Sequence, residues 1–587
     1  MKNKFIVAII AVGISLLFGL PHLLIPMDLK AKNESYFPLD GGMGSQSAIT
    51  MEEVYTYVPE VQEILEGRWI VHDTQLVEYK SAPSPFIGET APAYLMAALS
   101  IVSGSVANAF LLADFLFPPL TFLLVYFLGK QLSLSHHLAL VTSLTMLVAT
   151  DLISLVPYPK PVWDMLIDLL RKDDFLFFSR NFHPQISFPL LVLTVLFIIR
   201  ALKNLKPKEA IIAGVAVGFQ FYTYLFNWTA LALSLMLIST WTLLTNRLSL
   251  LRQLIIVGVS ALIIGFPYFM TMSQFRALPS AANFFEKSSL PPRTFLPITA
   301  RFILLIVASL IIIRKKSLAL IIISALVVSP ILLTEIAVLI LGQDLEGKHW
   351  IRRVIMPFSI LIAASVLQAI REEFAGRYKR KTLDKFFQLG YGIVIILVLQ
   401  YGLRVQIAAS KRYAPSYTVV PEKQQVINWI TDHVGRDETI ASLDTGFIAE
   451  IPAFSQANNA IPITIRSVAS TDESLDRFLR IAAIYRVSSE AVADLLTQEG
   501  FISRVFYFTA IDEGRVFHLP PRHLELILLQ YRNILENENV STFPYQLDYL
   551  IVGPLERKVM NTDFSDSFHF RTVFRNGRYQ LLRVNDE

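Results

Sequence analysis

The stretch MEEVYTYVPEVQEILEGRW, residues 51–69, decides how this chain is read. Val54, Tyr57, Val58, Val61, Ile64 and Leu65 recur at helical spacing, and Glu52, Glu53, Glu60, Glu63 and Glu66 fall mostly elsewhere on the wheel. The stretch lies just past an apolar run near 5–26, so an acidic, half-apolar helix follows what reads as a first membrane span.

The rest of the chain supports that setting. Of its 587 residues 53% are apolar and 17% charged, against roughly 25% charged in soluble domains. The mean hydropathy is +0.50. A polytopic membrane protein is the class that fits. The net charge of +4 is carried in short basic loops between apolar runs, which is a topology signal and gives no reason to expect nucleic acid as a partner. With no cysteine, disulfides, thiolate catalysis and metal–thiolate sites are excluded.

Span-length apolar stretches fall near 5–26, 107–129, 137–153, 186–203, 209–225, 227–245, 252–273, 297–313, 317–341, 353–370 and 387–404. The expected fold class is therefore a polytopic α-helical membrane protein of about 11–13 transmembrane helices, followed by a soluble α/β domain. The first run is read as a retained span, because no small-x-small cleavage site follows it. Four basic clusters mark cytoplasmic loops: Arg200–Lys208, Arg247–Arg252, Arg314–Lys316 and Arg371–Lys385. Working outward, the N-terminus is cytoplasmic, and 27–92, 154–185, 274–296, 342–352 and everything after 404 lie outside. Residues 91–106 admit two readings, a re-entrant or incomplete helix and an additional span. The first is preferred, because a full crossing would put Lys130 outside and reverse every later loop.

Two domains are expected: 1–404, a membrane domain with a large first outer loop at 27–92, and 405–587, an extracytoplasmic α/β domain. In the latter, PEKQQVINWITDHV reads as an amphipathic helix with Pro421 in its first turn. Ser470 and Glu473 have capping-box spacing ahead of a helix over 473–498. RVFYFTA, DYLIVGP and YQLLRV have strand composition.

Residues able to carry chemistry concentrate outside. The first outer loop holds Glu52, Glu53, Asp73, Glu78 and Glu89, and the second holds Asp164, Asp168, Asp173, Asp174, Arg180 and His183. GQDLEGKHWIRR packs Lys348, His349, Arg352 and Arg353 at the mouth of a span. A carboxylate can serve as general base, and Arg and His can hold a phosphate. Each also has a plain structural role. Glutamates on an amphipathic helix form a solvated face, Arg at a membrane edge snorkels to headgroups, and His183 before Pro184 caps the next span. Cations on the outer side run against the positive-inside rule, however, so the 348–353 cluster asks for a reason.

These residues resemble a family. In GT-C glycosyltransferases, membrane enzymes that use polyprenyl-phosphate sugars, the first outer loop bears an acidic pair soon after the first span, then a Tyr. In some members an interfacial helix ending in Gly-x-Trp follows. Here Glu52-Glu53 resembles the pair, Tyr55 or Tyr57 the Tyr, and Gly67-Arg68-Trp69 the end. PSPFIGETAPAYLMAAL resembles the Pro-rich entry to the next helix. The likeness covers residues 1–404 in layout and is similar to that of aminoarabinose transferase and protein O-mannosyltransferases. The first acid is Glu where the family has Asp, and the WWD-type motif of oligosaccharyltransferases is absent.

The resemblance implies transfer of a hexosyl or pentosyl group from a lipid-linked donor to an extracytoplasmic glycan, lipid or protein acceptor. Glu52 would be the base and Glu53 the second carboxylate. Lys348, His349, Arg352 and Arg353, with Arg180 and His183, would bind the phosphate. Some members use a divalent metal, Mg²⁺ or Mn²⁺, although no ligand spacing here demands one. Two rival readings remain. A lipid or polysaccharide transporter or flippase would use the intramembrane acids Asp114 and Glu335 but should show internal repeats. A non-catalytic surface protein leaves the acidic helix and basic cluster without a role.

Overall fold

The structure is a computed structural model and describes residues 2–41, 52–150, 172, 174–282, 300–313, 317–341, 348–377, 380–506, 519–537, 543–560 and 570–584. The chain forms two compact units, one comprising Met1–Ile25, Phe110–Phe269 and Pro292–Arg412, the other Pro26–Ala109, Met270–Pro291 and Tyr413–Glu587.

The first unit is helical. Each of the eleven apolar stretches corresponds to a helix, and eight described helical segments are long and apolar enough to cross a membrane. The 20 residues of Leu225–Leu244 rise about 30 Å, the thickness of the hydrocarbon layer. His136–Ala149 and Pro207–Gln220, at 14 residues each, rise only about 21 Å. The chain is a multi-pass membrane protein. Its helices pack through apolar side chains and small residues. A Cβ on Gly214 would meet Ser260 Cβ at 2.5 Å and the Val257 carbonyl oxygen at 2.6 Å, so glycine lets Pro207–Gln220 approach Leu248–Arg276 backbone to backbone. Ser234 and Ser329 join two more helices by a buried 2.8 Å hydrogen bond.

Residues 91–106 form the helix Thr90–Ser103, stopped by Gly104 in the left-handed region (φ 81°). With the preceding turn Pro85–Glu89, this segment is one of the eight. It belongs to the second unit.

That second unit is built on a five-stranded sheet of β1 (Thr439–Ala441), β2 (Asn458–Asn459), β3 (Tyr549–Val552), β4 (Phe570–Asn576) and β5 (Tyr579–Val584). The order is β2-β1-β3-β5-β4, with β1 parallel to β2 and β3, and β5 antiparallel to β3 and β4. All four residues of β3 are buried because both faces are covered. Leu550 and Val552 join a core with helices Thr471–Ile484, Ser489–Thr497 and Pro521–Asn537, while Tyr549 and Ile551 face Pro421–His433 and Thr445–Phe454.

DYLIVGP and YQLLRV are strands as expected, and Ser470 caps its helix by accepting from the Glu473 amide at 3.0 Å. Two expectations change. The helix over 473–498 is two helices, broken at Arg486 (φ 52°). RVFYFTA begins inside a π-helical turn, Phe501–Val505, and its residues 507–510 lie outside the described residues.

Candidate functional site

The helical unit gathers one arginine, two histidines and several aromatic rings around Tyr224. The chain leaves Pro207–Gln220, turns, and enters Leu225–Leu244 with Tyr224 extended and buried between them. The Tyr224 hydroxyl shares a 2.5 Å hydrogen bond with His349 Nδ1. The His183 ring stacks on Tyr224 at 4.0 Å, and the Arg353 guanidinium carbon lies over the same ring at 4.6 Å. His349 in turn stacks on Phe226 at 4.8 Å. Trp350 meets Phe226 edge-on at 5.0 Å and donates its indole N–H to Thr229 Oγ1 at 3.0 Å.

Three of the six candidate phosphate ligands, His183, His349 and Arg353, are thus brought onto one aromatic platform. Arg353 is only 5% exposed, its Nη1 is buried, and it has no hydrogen bond or ion pair among the described residues. Arg352 points elsewhere and is exposed. The cause is the π-helical turn Ile351–Ile355, whose wider winding keeps residues four or five apart on one face and turns the i+3 position away. Arg180 is half-buried in the loop that carries His183, and the side chain of Lys348 lies outside the described residues. His183 does not cap the following helix, which begins at Ser187 with Ile186 as its N-cap.

The loop bearing His183 is tied down by Asp114. Its Oδ1 accepts from Gln185 Nε2 at 2.5 Å and its Oδ2 pairs with His22 Nε2 at 2.8 Å, while Gln185 also donates to the Phe178 carbonyl at 3.1 Å. Asp114 therefore has a structural partner set. The Glu335 side chain lies outside the described residues.

The second unit holds the acidic helix, which is two pieces, Glu52–Thr56 and Val58–Leu65, with Pro59 near the start of the second. Glu52 and Glu53 open the first piece, and their side chains lie outside the described residues. The later glutamates depart from the expected solvated face. Glu60 is 1% exposed, and Arg466 Nη1 stands 3.3 Å from its Oε1 and 3.1 Å from Glu89 Oε2. Buried Glu63 pairs with Arg68 at 3.1 Å and with Lys80, and Glu66 reaches Arg436 at 3.7 Å. A helix meeting cations on its polar side can bury both faces, which wheel position alone does not reveal.

Burial pushes the Glu60 carboxyl well up, Arg466 pulls it back, and Glu89 adds to the rise. Burial also works against the Arg466 cation, yet Glu89 and Glu60 more than offset it and raise its pKa. Asp73 is buried too. Burial raises its pKa, while bonds from Ser467 Oγ at 2.6 Å and the amides of Gln75, Val468 and Leu76 oppose the rise. Trp69, at the Gly-x-Trp end, is exposed and stacks with Tyr94 at 6.2 Å.

Asp164, Asp168 and Asp173 lie outside the described residues. Among the described residues no three His, Asp or Glu side chains converge as metal ligands. Tyr224, Phe226 and Trp350 were missed from sequence, although the aromatic density of FYTYLFNW at 221–228 between two apolar runs was a usable signal.

No family model matches the chain, and no curated protein sequence does. Among solved structures it is similar in fold to ArnT from Cupriavidus metallidurans bound to undecaprenyl phosphate. That match has 12% identity and a TM-score of 0.48, and covers 98% of this chain and 97% of that one. It is also similar to the Archaeoglobus fulgidus oligosaccharyltransferase in the apo form, at 12% identity and a TM-score of 0.44, over 93% of this chain and 69% of that one.

Proposed function

We propose that this chain is a membrane glycosyltransferase that moves a hexosyl or pentosyl group from a polyprenyl phosphate to an extracytoplasmic glycan, lipid or protein acceptor. The N-terminus lies in the cytoplasm and residues 405–587 lie outside it. The observation that carries the reading is Arg353, a buried guanidinium with no anionic partner among the described residues, set beside His349 and His183 on aromatic rings. Leaving such a cation unpaired in a dry site is costly, and a phosphate would satisfy it. The aromatic walls suit the first isoprene unit of the lipid.

In the reaction the acceptor oxygen bonds to the anomeric carbon as the bond from that carbon to the phosphate oxygen breaks, leaving its electron pair on the phosphate. Arg353 and His349 take up the charge that develops there. The acceptor proton passes to Glu52, with Glu53 as the second carboxylate. Arg352, exposed, meets lipid headgroups.

Undecaprenyl phosphate is the test ligand. Native mass spectrometry of the full chain should show it bound in preference to undecaprenol, and labelled undecaprenyl-phosphate hexoses and pentoses should transfer label to a cell-envelope extract. Equal retention of phosphate and alcohol would sink the reading.

A further inference from the structure

The segment 464–468 grips the first outer loop at three points. Arg466 reaches with one nitrogen, Nη1, to both Glu60, on the acidic helix, and Glu89, at the foot of Thr90–Ser103. Its guanidinium also lies 5.4 Å from the Tyr57 ring and 5.6 Å from the Phe86 ring. Ser467 and Val468 hold Asp73 at 2.6 and 2.8 Å. The segment is itself anchored, since Thr464 Oγ1 donates to the Val505 carbonyl at 2.7 Å. Both pieces of the acidic helix pack on helix Thr445–Phe454, and Tyr55 joins the core of the sheet.

We infer that Arg466 is a positioning residue: it clamps the acidic helix, and the α/β segment 413–587 acts as the scaffold that sets where Glu52 and Glu53 stand. Val58–Leu65 is only eight residues long, below the length at which a helix persists on its own in water, so tertiary contacts must hold it. Its apolar face is buried, but Glu60 is buried with it, and burying that acid works against docking. One planar cation bonded to Glu60 and Glu89 together offsets this and fixes the helix relative to the next one. Both bonds leave from one nitrogen, Nη1, while the guanidinium sits against the Tyr57 and Phe86 rings; Lys in place of Arg presents a compact ammonium of different reach and loses the delocalised cation beside those rings. The kinetic part of the inference rests on the glycosyltransferase reading; the structural part does not.

The test uses the full chain in lipid nanodiscs. Hydrogen exchange in R466Q should quicken about tenfold or more over residues 52–65 and stay unchanged over Ser187–Asn204, with R466K restoring part of the protection. E60Q, which keeps an Oε1 to accept from Arg466 and leaves the Arg466–Glu89 pair, should exchange like the parent. If R466Q does not accumulate, R466K carries the test, and parental exchange over 52–65 in R466K overturns the clamp. With whichever undecaprenyl-phosphate sugar turns over, R466K should lower kcat and leave KM for the donor unchanged. A rise in donor KM with kcat intact would place Arg466 on the donor instead and overturn the inference. Failure of the parent to bind undecaprenyl phosphate would remove the glycosyltransferase reading and leave the exchange result to decide this one.

Discussion

Replacing Arg353 with Lys separates a phosphate ligand from a membrane-edge cation. The charge is kept, so a residue that only snorkels would notice little. At Arg353 the guanidinium is buried and its central carbon lies over Tyr224 at 4.6 Å, a cation–π contact of about 2 kcal/mol when dry. That contact exists with or without ligand, so its loss lowers stability and largely cancels from the binding energy. What does not cancel is the planar fork. A bidentate phosphate contact has two charge-assisted bonds of roughly 1.5–3 kcal/mol each, and Lys retains one. At ~1.4 kcal/mol per factor of ten, undecaprenyl phosphate should bind roughly ten- to a hundredfold more weakly to R353K. R352K is the control. Its side chain is exposed, and the change should stay within about 0.5 kcal/mol. Native mass spectrometry titrations of both variants, alongside their melting temperatures, give the comparison. Parental affinity in R353K, or equal losses in both, would refute the argument that the π-helical turn assigns the phosphate to one Arg.

Glu52→Gln should cut sugar transfer by a factor on the order of a hundred or more while leaving undecaprenyl phosphate bound, as expected for loss of a general base. If Glu53→Gln does this and Glu52→Gln does not, the base is the neighbouring residue. Gly214→Val places a side chain against the Val257 carbonyl, which cannot rotate away, and should cost about 1–3 kcal/mol; a melting temperature equal to the parent's would show the two helices free to part. Glu60 has a raised pKa, so the folded state holds a proton that the unfolded chain releases above the ordinary value of 4.5. Its contribution is fully present below that value and is lost as pH climbs through the folded pKa. The melting temperature of Glu60→Gln should therefore fall less than the parent's between about pH 5 and about pH 8. Asp73 and Glu66, also raised by burial, keep the remaining slope, and identical slopes in parent and variant would locate the proton elsewhere.

Hydropathy and loop charge by themselves determined that this chain crosses a membrane many times and that an α/β segment follows, because transfer of apolar side chains from water is summed locally along the sequence. The short β1 and β2 escaped, since two or three residues carry no period. The acidic character of residues 52–66 was equally plain, but its meaning was not. Whether Glu60 faces water or a cation depends on Arg466, 406 positions away in chain order, and the distance between them is set only by folding. Likewise KHWIRR announced a basic cluster, while the π-helical turn selected Arg353 for the interior and left Arg352 outside. The platform that receives Arg353 is assembled from His183, Tyr224, Phe226 and His349, which belong to three separate parts of the sequence. Charge and aromaticity are properties of residues and can be read in order. Desolvation and pairing are properties of neighbours in space, and the tertiary structure alone decides them.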